Sequence, residues 1–167
     1  HNILEQIGID PKSYGLQILE PVKTLFKPEV RQVGRALGLP PSITERMPFP
    51  GPGLATRIVG EVTPERVATV RQATAIVEQE LGDLRAFQAF AVLLSDRATG
   101  LSDGKREFGQ IIAVRAVHSS DAMSATAVEV PWPVLNLLQQ RICAEVPGVV
   151  KVLYDLTPKP PSTIEYV

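Results

Sequence analysis

Apolar residues recur at helical spacing in three stretches of the chain and at strand-like density in five others. Val30, Val33 and Leu37 share one face of a predicted helix that Pro28 and Glu29 open and Gly38 with Pro40 close. Val67, Val70, Thr74, Val77 and Leu81 mark a second, started by Thr63-Pro64-Glu65 and stopped at Gly82. Val134, Leu138, Ile142 and Val146 mark a third, beginning near Pro131 or Pro133 and ending at Pro147-Gly148. Ser42-Ile43-Thr44-Glu45 has capping-box spacing for one further turn. Strands are expected at Tyr14 to Leu19, Arg85 to Leu94, Gln110 to His118 and Val149 to Tyr154, with a last short one over Thr163 to Tyr166. Phe87 and Phe90 fall on opposite faces of the second of these. The polar segment between the second and third, at roughly a dozen residues, exceeds an ordinary hairpin loop and reads as functional or mobile.

From Pro64 onward the order is helix, strand, strand, helix, strand, strand. That order predicts an α+β layer, with helices on one face of a mostly antiparallel sheet. Few charges interrupt Phe87 to Leu94 or Ile111 to Val117, so a second copy of the sheet would serve to cover the other face. The residues before about Arg46 supply a strand and a helix without partners for a core, as the tail of a preceding α/β domain would. The opening His1-Asn2 fits a fragment, a processed product or part of a longer polypeptide, and His1 could equally be the remnant of a tag.

Between the two parts lies Arg46-Met-Pro-Phe-Pro-Gly-Pro-Gly-Leu54. Prolines fix φ and glycines free it, so this run is neither helix nor central strand. It is a linker on composition alone, or a stiff loop whose backbone amides face a ligand.

The 167 residues, 44% of them hydrophobic, suffice for one core or for one domain plus part of another. No apolar run approaches the ~20 residues of a membrane span. A net charge of -1 gives no general attraction for nucleic acid or anionic membrane, leaving only a local basic patch. The single cysteine, Cys143, excludes an internal disulfide and a cysteine cluster. Its apolar helical surroundings predict a buried packing role, and a reducing, cytoplasmic compartment fits.

Phosphate-loop, metal-ligand and nucleophile-elbow spacings are all missing from the sequence. His118-Ser-Ser-Asp121 reads as a strand end entering a polar turn, because sequence neighbours seldom build a triad. The tail Lys159-Pro-Pro-Ser-Thr163-Ile164-Glu165 sets a cation, a hydroxyl and a carboxylate on a backbone stiffened by two prolines. Such a set can hold a phosphate and accept from sugar hydroxyls or base N–H groups, although an ordinary exposed tail has the same composition.

Taken together, the proline-glycine run, Arg57-Ile-Val-Gly-Glu-Val62, Gln88-Ala-Phe90, Val149-x-x-Val-x-Tyr-Asp155 and Lys159-Pro-Pro-x-Thr-Ile-Glu165 closely resemble the C-terminal part of GMP synthases, in order and spacing. The likeness is nearest to archaeal-type enzymes, whose glutamine amidotransferase is a separate polypeptide. It implies three parts: residues 1–46 as the end of an ATP-pyrophosphatase domain, 47–60 as a junction, and 61–167 as a dimerisation domain. It also implies a share in the ATP-dependent amination of xanthosine 5'-monophosphate (XMP) to GMP, or a dimerisation module without nucleotide binding of its own. By position, Lys159 and Thr163 would meet the XMP phosphate, while Ile164, Glu165 and Gln88 would fix the nucleotide. Pro48, Gly51 and Gly53 would form a wall beside it, with Arg57 and Arg115 as weaker phosphate candidates, since either could instead be a structural ion-pair partner. The family's Ser-Gly-Gly-x-Asp-Ser pyrophosphate loop is absent from these residues, so no catalytic group is expected here. ATP and Mg2+ would bind mainly upstream. The implied partners are a second copy of the chain (a homodimer), XMP, and a glutamine amidotransferase, as a domain or a separate polypeptide, supplying ammonia, with neither nucleic acid nor membrane. Met47, Ser95-Asp96 and the terminal Val167 depart from the family pattern.

Overall fold

The computed structural model describes residues 15, 19–102 and 104–167. The chain divides into two compact units, His1–Arg46 and Met47–Val167. The strand expected at Tyr14 to Leu19 lies almost wholly outside the described residues.

In the first unit, helix α1 spans Lys27–Ala36. Glu29 reaches back to accept from the Phe26 amide at 2.7 Å, satisfying a free N–H at the helix start. At the other end Gly38, at φ +78°, turns the chain so that its amide meets the Arg35 carbonyl and the Leu39 amide meets that of Gly34. This pairing uses up carbonyls that the last turn leaves free. The one-turn helix α2, Pro41–Thr44, follows. It starts two residues earlier than the capping-box spacing suggests: Pro40 rather than Ser42 is the cap, and no side chain bonds the free amides. A cavity of about 500 Å³ between Leu19 and Arg31 carries none of the expected site residues.

The second unit opens with a 3-10 helix, Gly53–Arg57, followed by α3, Pro64–Leu81. Thr63 caps α3 as expected, its hydroxyl accepting from the Arg66 amide at 3.3 Å. After a short 3-10 turn, Gly82–Leu84, come β1 (Gln88–Ser102), β2 (Lys105–His118), β3 (Thr126–Ala127), α4 (Trp132–Glu145) and β4 (Val149–Tyr154). Strands β1 and β2 form one antiparallel hairpin, from Gln88 opposite Val117 to Ser102 opposite Lys105, with an irregularity between Leu93 and Arg97. The other edge of β2 pairs antiparallel with β3 at its end and parallel with β4 in its middle.

The expected polar connection is therefore replaced by strand. Residues 95–102 and 105–109 continue the two strands into a long arm, with Ser102 paired opposite Lys105. Arg85 stays outside the sheet in a left-handed conformation, φ +49°.

One face of the sheet (Ala89, Ala91, Leu93, Ile112, Val114, Ala116) is covered by Val70, Ala73, Val77 and Leu81 of α3 and by Leu138 and Ile142 of α4. This is the α+β layer read from the sequence. The opposite face holds Phe90, Val92, Ala113 and Val117, and here the chain covers itself: Ile164 of the tail and Ala125 complete the cluster. A second copy is not needed over those residues. Phe87 packs against this same cluster, rather than on the face opposite Phe90, because it precedes the regular strand. The tail is not a strand, its carbonyls being bonded by side chains instead of a ladder. Cys143 is exposed rather than buried, since the buried face of α4 is the one that carries Leu138 and Ile142. Among the described residues no helix is long and apolar enough to cross a membrane.

Candidate functional site

The tail runs along the start of β1 and the end of β2, and two buried arginines hold it there. Arg115, on β2, has no exposed surface. Its Nε donates to the Ile164 carbonyl at 2.9 Å and its Nη2 to the Thr163 carbonyl at 2.8 Å. Its Nη1 donates to Asp155 Oδ2 at 2.8 Å and to the Thr157 carbonyl at 3.0 Å. Burial raises the Asp155 carboxyl, but hydrogen bonds from Thr157 and Tyr166, with the Arg115 charge, outweigh it and hold Asp155 below its ordinary value. The Tyr166 hydroxyl donates to Asp155 Oδ2 at 2.9 Å. Burial and that carboxylate push the phenol up to about 12.

Arg57 is the second anchor, 2% exposed and lying over the Phe90 ring at 4.1 Å. Its Nε and Nη2 donate to Oε2 and Oε1 of Glu165, both at 3.3 Å. Gln88 Nε2 donates to Glu165 Oε1 at 3.2 Å and to the Pro48 carbonyl at 2.8 Å. The strand start, the proline-glycine loop and the tail thus meet at one side-chain amide. Gly53 has φ +67°, and a Cβ there would lie 3.7 Å from the Phe49 ring. Gly51 is exposed. Met47 Sδ accepts from the Ala89 amide at 3.4 Å, a role its thioether can fill in place of a polar side chain.

Lys159 forms a backbone pair with Ala125, and its Nζ donates to the Ala122 carbonyl at 2.8 Å. The peptide bonds before Pro160 and Pro161 are cis. Lys159 borders an open depression of about 650 Å³, which also includes Arg85, His118, Ser120, Ser124 and Thr126. Among the described residues no carboxylate lines it, so the lining itself is cationic and polar. Asp121, nearby, is held low mainly by the amides of Met123 and Ser124. Thr163 is exposed and outside this depression, and its hydroxyl donates to the Glu165 carbonyl at 2.5 Å.

Of the residues expected from the sequence, Gln88, Arg57, Glu165 and the Pro48 carbonyl form one bonded group. Lys159 stands in a second group, and both lie at the end of the hairpin where β1 opens and β2 closes. Arg57 and Arg115 are buried and bonded to partners inside the protein, so neither presents an exposed guanidinium to a phosphate. Arg85 and the hydroxyls of 119–126 escape a reading of the sequence. Their only signal there is a run of serines beside a strand end.

Fold and site together define an α+β domain whose own tail straps one face of the sheet. Residues 74–166 match the model of the GMP synthase C terminal domain, and the chain belongs to that family. It is 53% identical to a subunit of the glutamine-hydrolyzing GMP synthase of Methanopyrus kandleri, an alignment covering 96% of this chain and 53% of that protein. The corresponding Pyrococcus furiosus protein is 52% identical, over 96% of this chain and 52% of the relative. That of Methanosphaerula palustris is 56% identical, over 90% and 49%. The chain thus spans about half the length of the curated relatives it matches.

Proposed function

We propose that this chain is the XMP-binding, homodimerising C-terminal part of a GMP synthase. The observation that carries the reading is the Glu165 carboxylate, fixed by Arg57 and Gln88 beside the Pro48 carbonyl, at the same hairpin end as the Lys159 depression. A carboxylate accepts from the N–H groups of an oxopurine, and a lysine beside hydroxyls suits the 5'-phosphate. Pro48, Gly51 and Gly53 would wall the nucleotide. Thr163 would meet the phosphate by moving its hydroxyl from the Glu165 carbonyl, and Ile164 contributes by anchoring the tail in the core.

In the whole enzyme, ATP adenylates the C2 oxygen of XMP with loss of pyrophosphate, and ammonia then displaces AMP to leave GMP. Both ATP and Mg2+ would bind mainly to the part of the enzyme upstream of these residues. Among the described residues no three His, Cys, Asp or Glu side chains converge as metal ligands would. Residues 1–46 are read as the end of the ATP-pyrophosphatase domain, 47–60 as the junction and 61–167 as the dimerisation domain. The relatives are each designated one subunit of a glutamine-hydrolyzing enzyme, which supports a separate amidotransferase polypeptide as the source of ammonia, in the cytoplasm. Exposed Leu101 and Phe108 on the hairpin arm, with Leu153 on β4, offer apolar surface to a second copy.

The hydrogen bonds that order the tail favour this reading over a dimerisation module with a loose tail. Calorimetric titration of XMP into the full-length protein tests it. Lys159→Ala should weaken XMP binding by about tenfold, as expected for a lost charge-assisted bond. Unchanged affinity would remove Lys159 from the site.

A further inference from the structure

We propose that Arg57 is a positioning residue: without touching the nucleotide, it holds the Glu165 carboxylate so that one lone pair remains for an N–H donor on the ligand's base. This rests on the reading of Glu165 as a nucleotide contact.

An ionised carboxylate offers about four acceptor positions, two on each oxygen. Oε1 receives Arg57 Nη2 and Gln88 Nε2, and is filled. Oε2 receives Arg57 Nε. The Thr56 hydroxyl also lies 3.5 Å from Oε2, but it has a single proton and a nearer acceptor, the Gly53 carbonyl at 3.0 Å. One position on Oε2 is left over. The Glu165 side chain is 20% exposed where Arg57 is 2% exposed, so an incoming ligand reaches the carboxylate and not the guanidinium.

The guanidinium owes its place to the core. It lies 4.1 Å from the ring of Phe90, which is wholly buried on β1, and 5.0 Å from the ring of Phe49 in the proline-glycine loop. Stacking of this kind and a planar fork are available to arginine and not to lysine. The sheet therefore sets the cation, the cation sets the carboxylate, and an irregular tail acquires a fixed acceptor. The chemical consequence is selection: a ring presenting N–H at that point is accepted, as in an oxopurine. A ring presenting a bare nitrogen, as in adenine, meets lone pair against lone pair.

The test is a double-mutant cycle in the full-length protein, reading XMP affinity by calorimetry, and kcat and KM for XMP and for ATP. Glu165→Gln and Arg57→Met should each raise the Kd for XMP about tenfold, the scale of a lost charge-assisted bond. The Arg57→Met, Glu165→Gln double variant should bind no more weakly than Glu165→Gln alone, with KM for ATP unchanged throughout. Arg57→Lys keeps the charge without the fork. It should show an intermediate loss, and it carries the same cycle if Arg57→Met fails to fold. Effects that multiply in the double variant would mean that Arg57 meets the nucleotide itself, and would overturn the proposal. Wild-type affinity in Arg57→Met and Arg57→Lys would overturn it too. Wild-type affinity in Glu165→Gln would instead remove the nucleotide reading of Glu165, and this one with it.

Discussion

The Arg115 guanidinium lies wholly inside the protein and donates through Nε to the Ile164 carbonyl at 2.9 Å. A charged side chain on β2 thereby replaces the ladder that a tail strand would have had. Arg115→Met leaves the Asp155 carboxylate without its cation and the carbonyls of Thr157, Thr163 and Ile164 without a donor. Breaking a buried pair from one side costs about 3–5 kcal/mol, and chemical denaturation should register a loss on that scale. Removing both charges, in Arg115→Met with Asp155→Asn, should cost less than Arg115→Met alone.

The same cluster predicts how stability varies with pH. Asp155 has a folded value below its unfolded one, so its contribution is present above the unfolded value of about 3.9 and is lost as pH falls below it. Tyr154 and Tyr166 have folded values raised to about 12. Their contribution is full below the unfolded value of about 10 and disappears as pH rises through about 12. Denaturation midpoints measured across pH should fall at both limits. Asp155→Asn should flatten the acid limb and Tyr166→Phe should reduce the alkaline one. An acid limb unchanged in Asp155→Asn would show that other carboxylates control it.

Two glycines on the hairpin make room for β4. A Cβ on Gly109 would run into the Val150 side chain and lie 2.7 Å from the Gly148 carbonyl oxygen; one on Gly100 would lie 2.6 Å from the Val150 Cβ. Gly109→Ala should therefore destabilise the domain by about 1–3 kcal/mol, the usual cost of forcing atoms into a filled space. Val150→Ala should relieve part of that cost. The double variant should be more stable than the sum of the singles predicts by about 1 kcal/mol, while the unmoved Gly148 carbonyl keeps the rescue incomplete.

How legible these features are depends on whether a local signal carries them. Thr63-Pro64 and the spacing from Val67 to Leu81 announce α3, because cap and apolar face are both local. Strand β4 is equally plain as an apolar run. The hairpin arm is hidden because Ser95-Asp-Arg97 and Thr99-Gly100 are polar and largely exposed, so alternation gives no cue and only pairing across the turn defines the strands. Arg57 and Arg115 can be singled out in the sequence but not assigned. Their burial comes from carbonyls and two carboxylates about 40 to over 100 residues away, so the sequence leaves each open between a phosphate contact and a structural ion pair. The tail residues Lys159 and Glu165 are visible as chemistry. That they occupy the hairpin end with Gln88 follows only from the fold.

The proline-glycine loop gives the last prediction. Pro52 precedes the 3-10 helix Gly53–Arg57, the Gly53 amide closes a turn on the Pro50 carbonyl at 3.0 Å, and Gln88 holds the Pro48 carbonyl. The loop is thus tied at both ends, and the prolines limit what it can do in between. Pro50→Ala and Pro52→Ala remove no hydrogen bond, since proline has no N–H to donate. Each instead restores backbone freedom, worth about 0.4–1 kcal/mol. If the loop walls the nucleotide, that freedom must be given up on binding, and the double variant should bind XMP about fivefold to tenfold more weakly in the full-length protein. Its sedimentation behaviour should stay that of the parent, because the loop is not asked to hold two copies together. Unchanged XMP affinity would make the segment a linker, and equal losses of affinity and assembly would make it part of the scaffold.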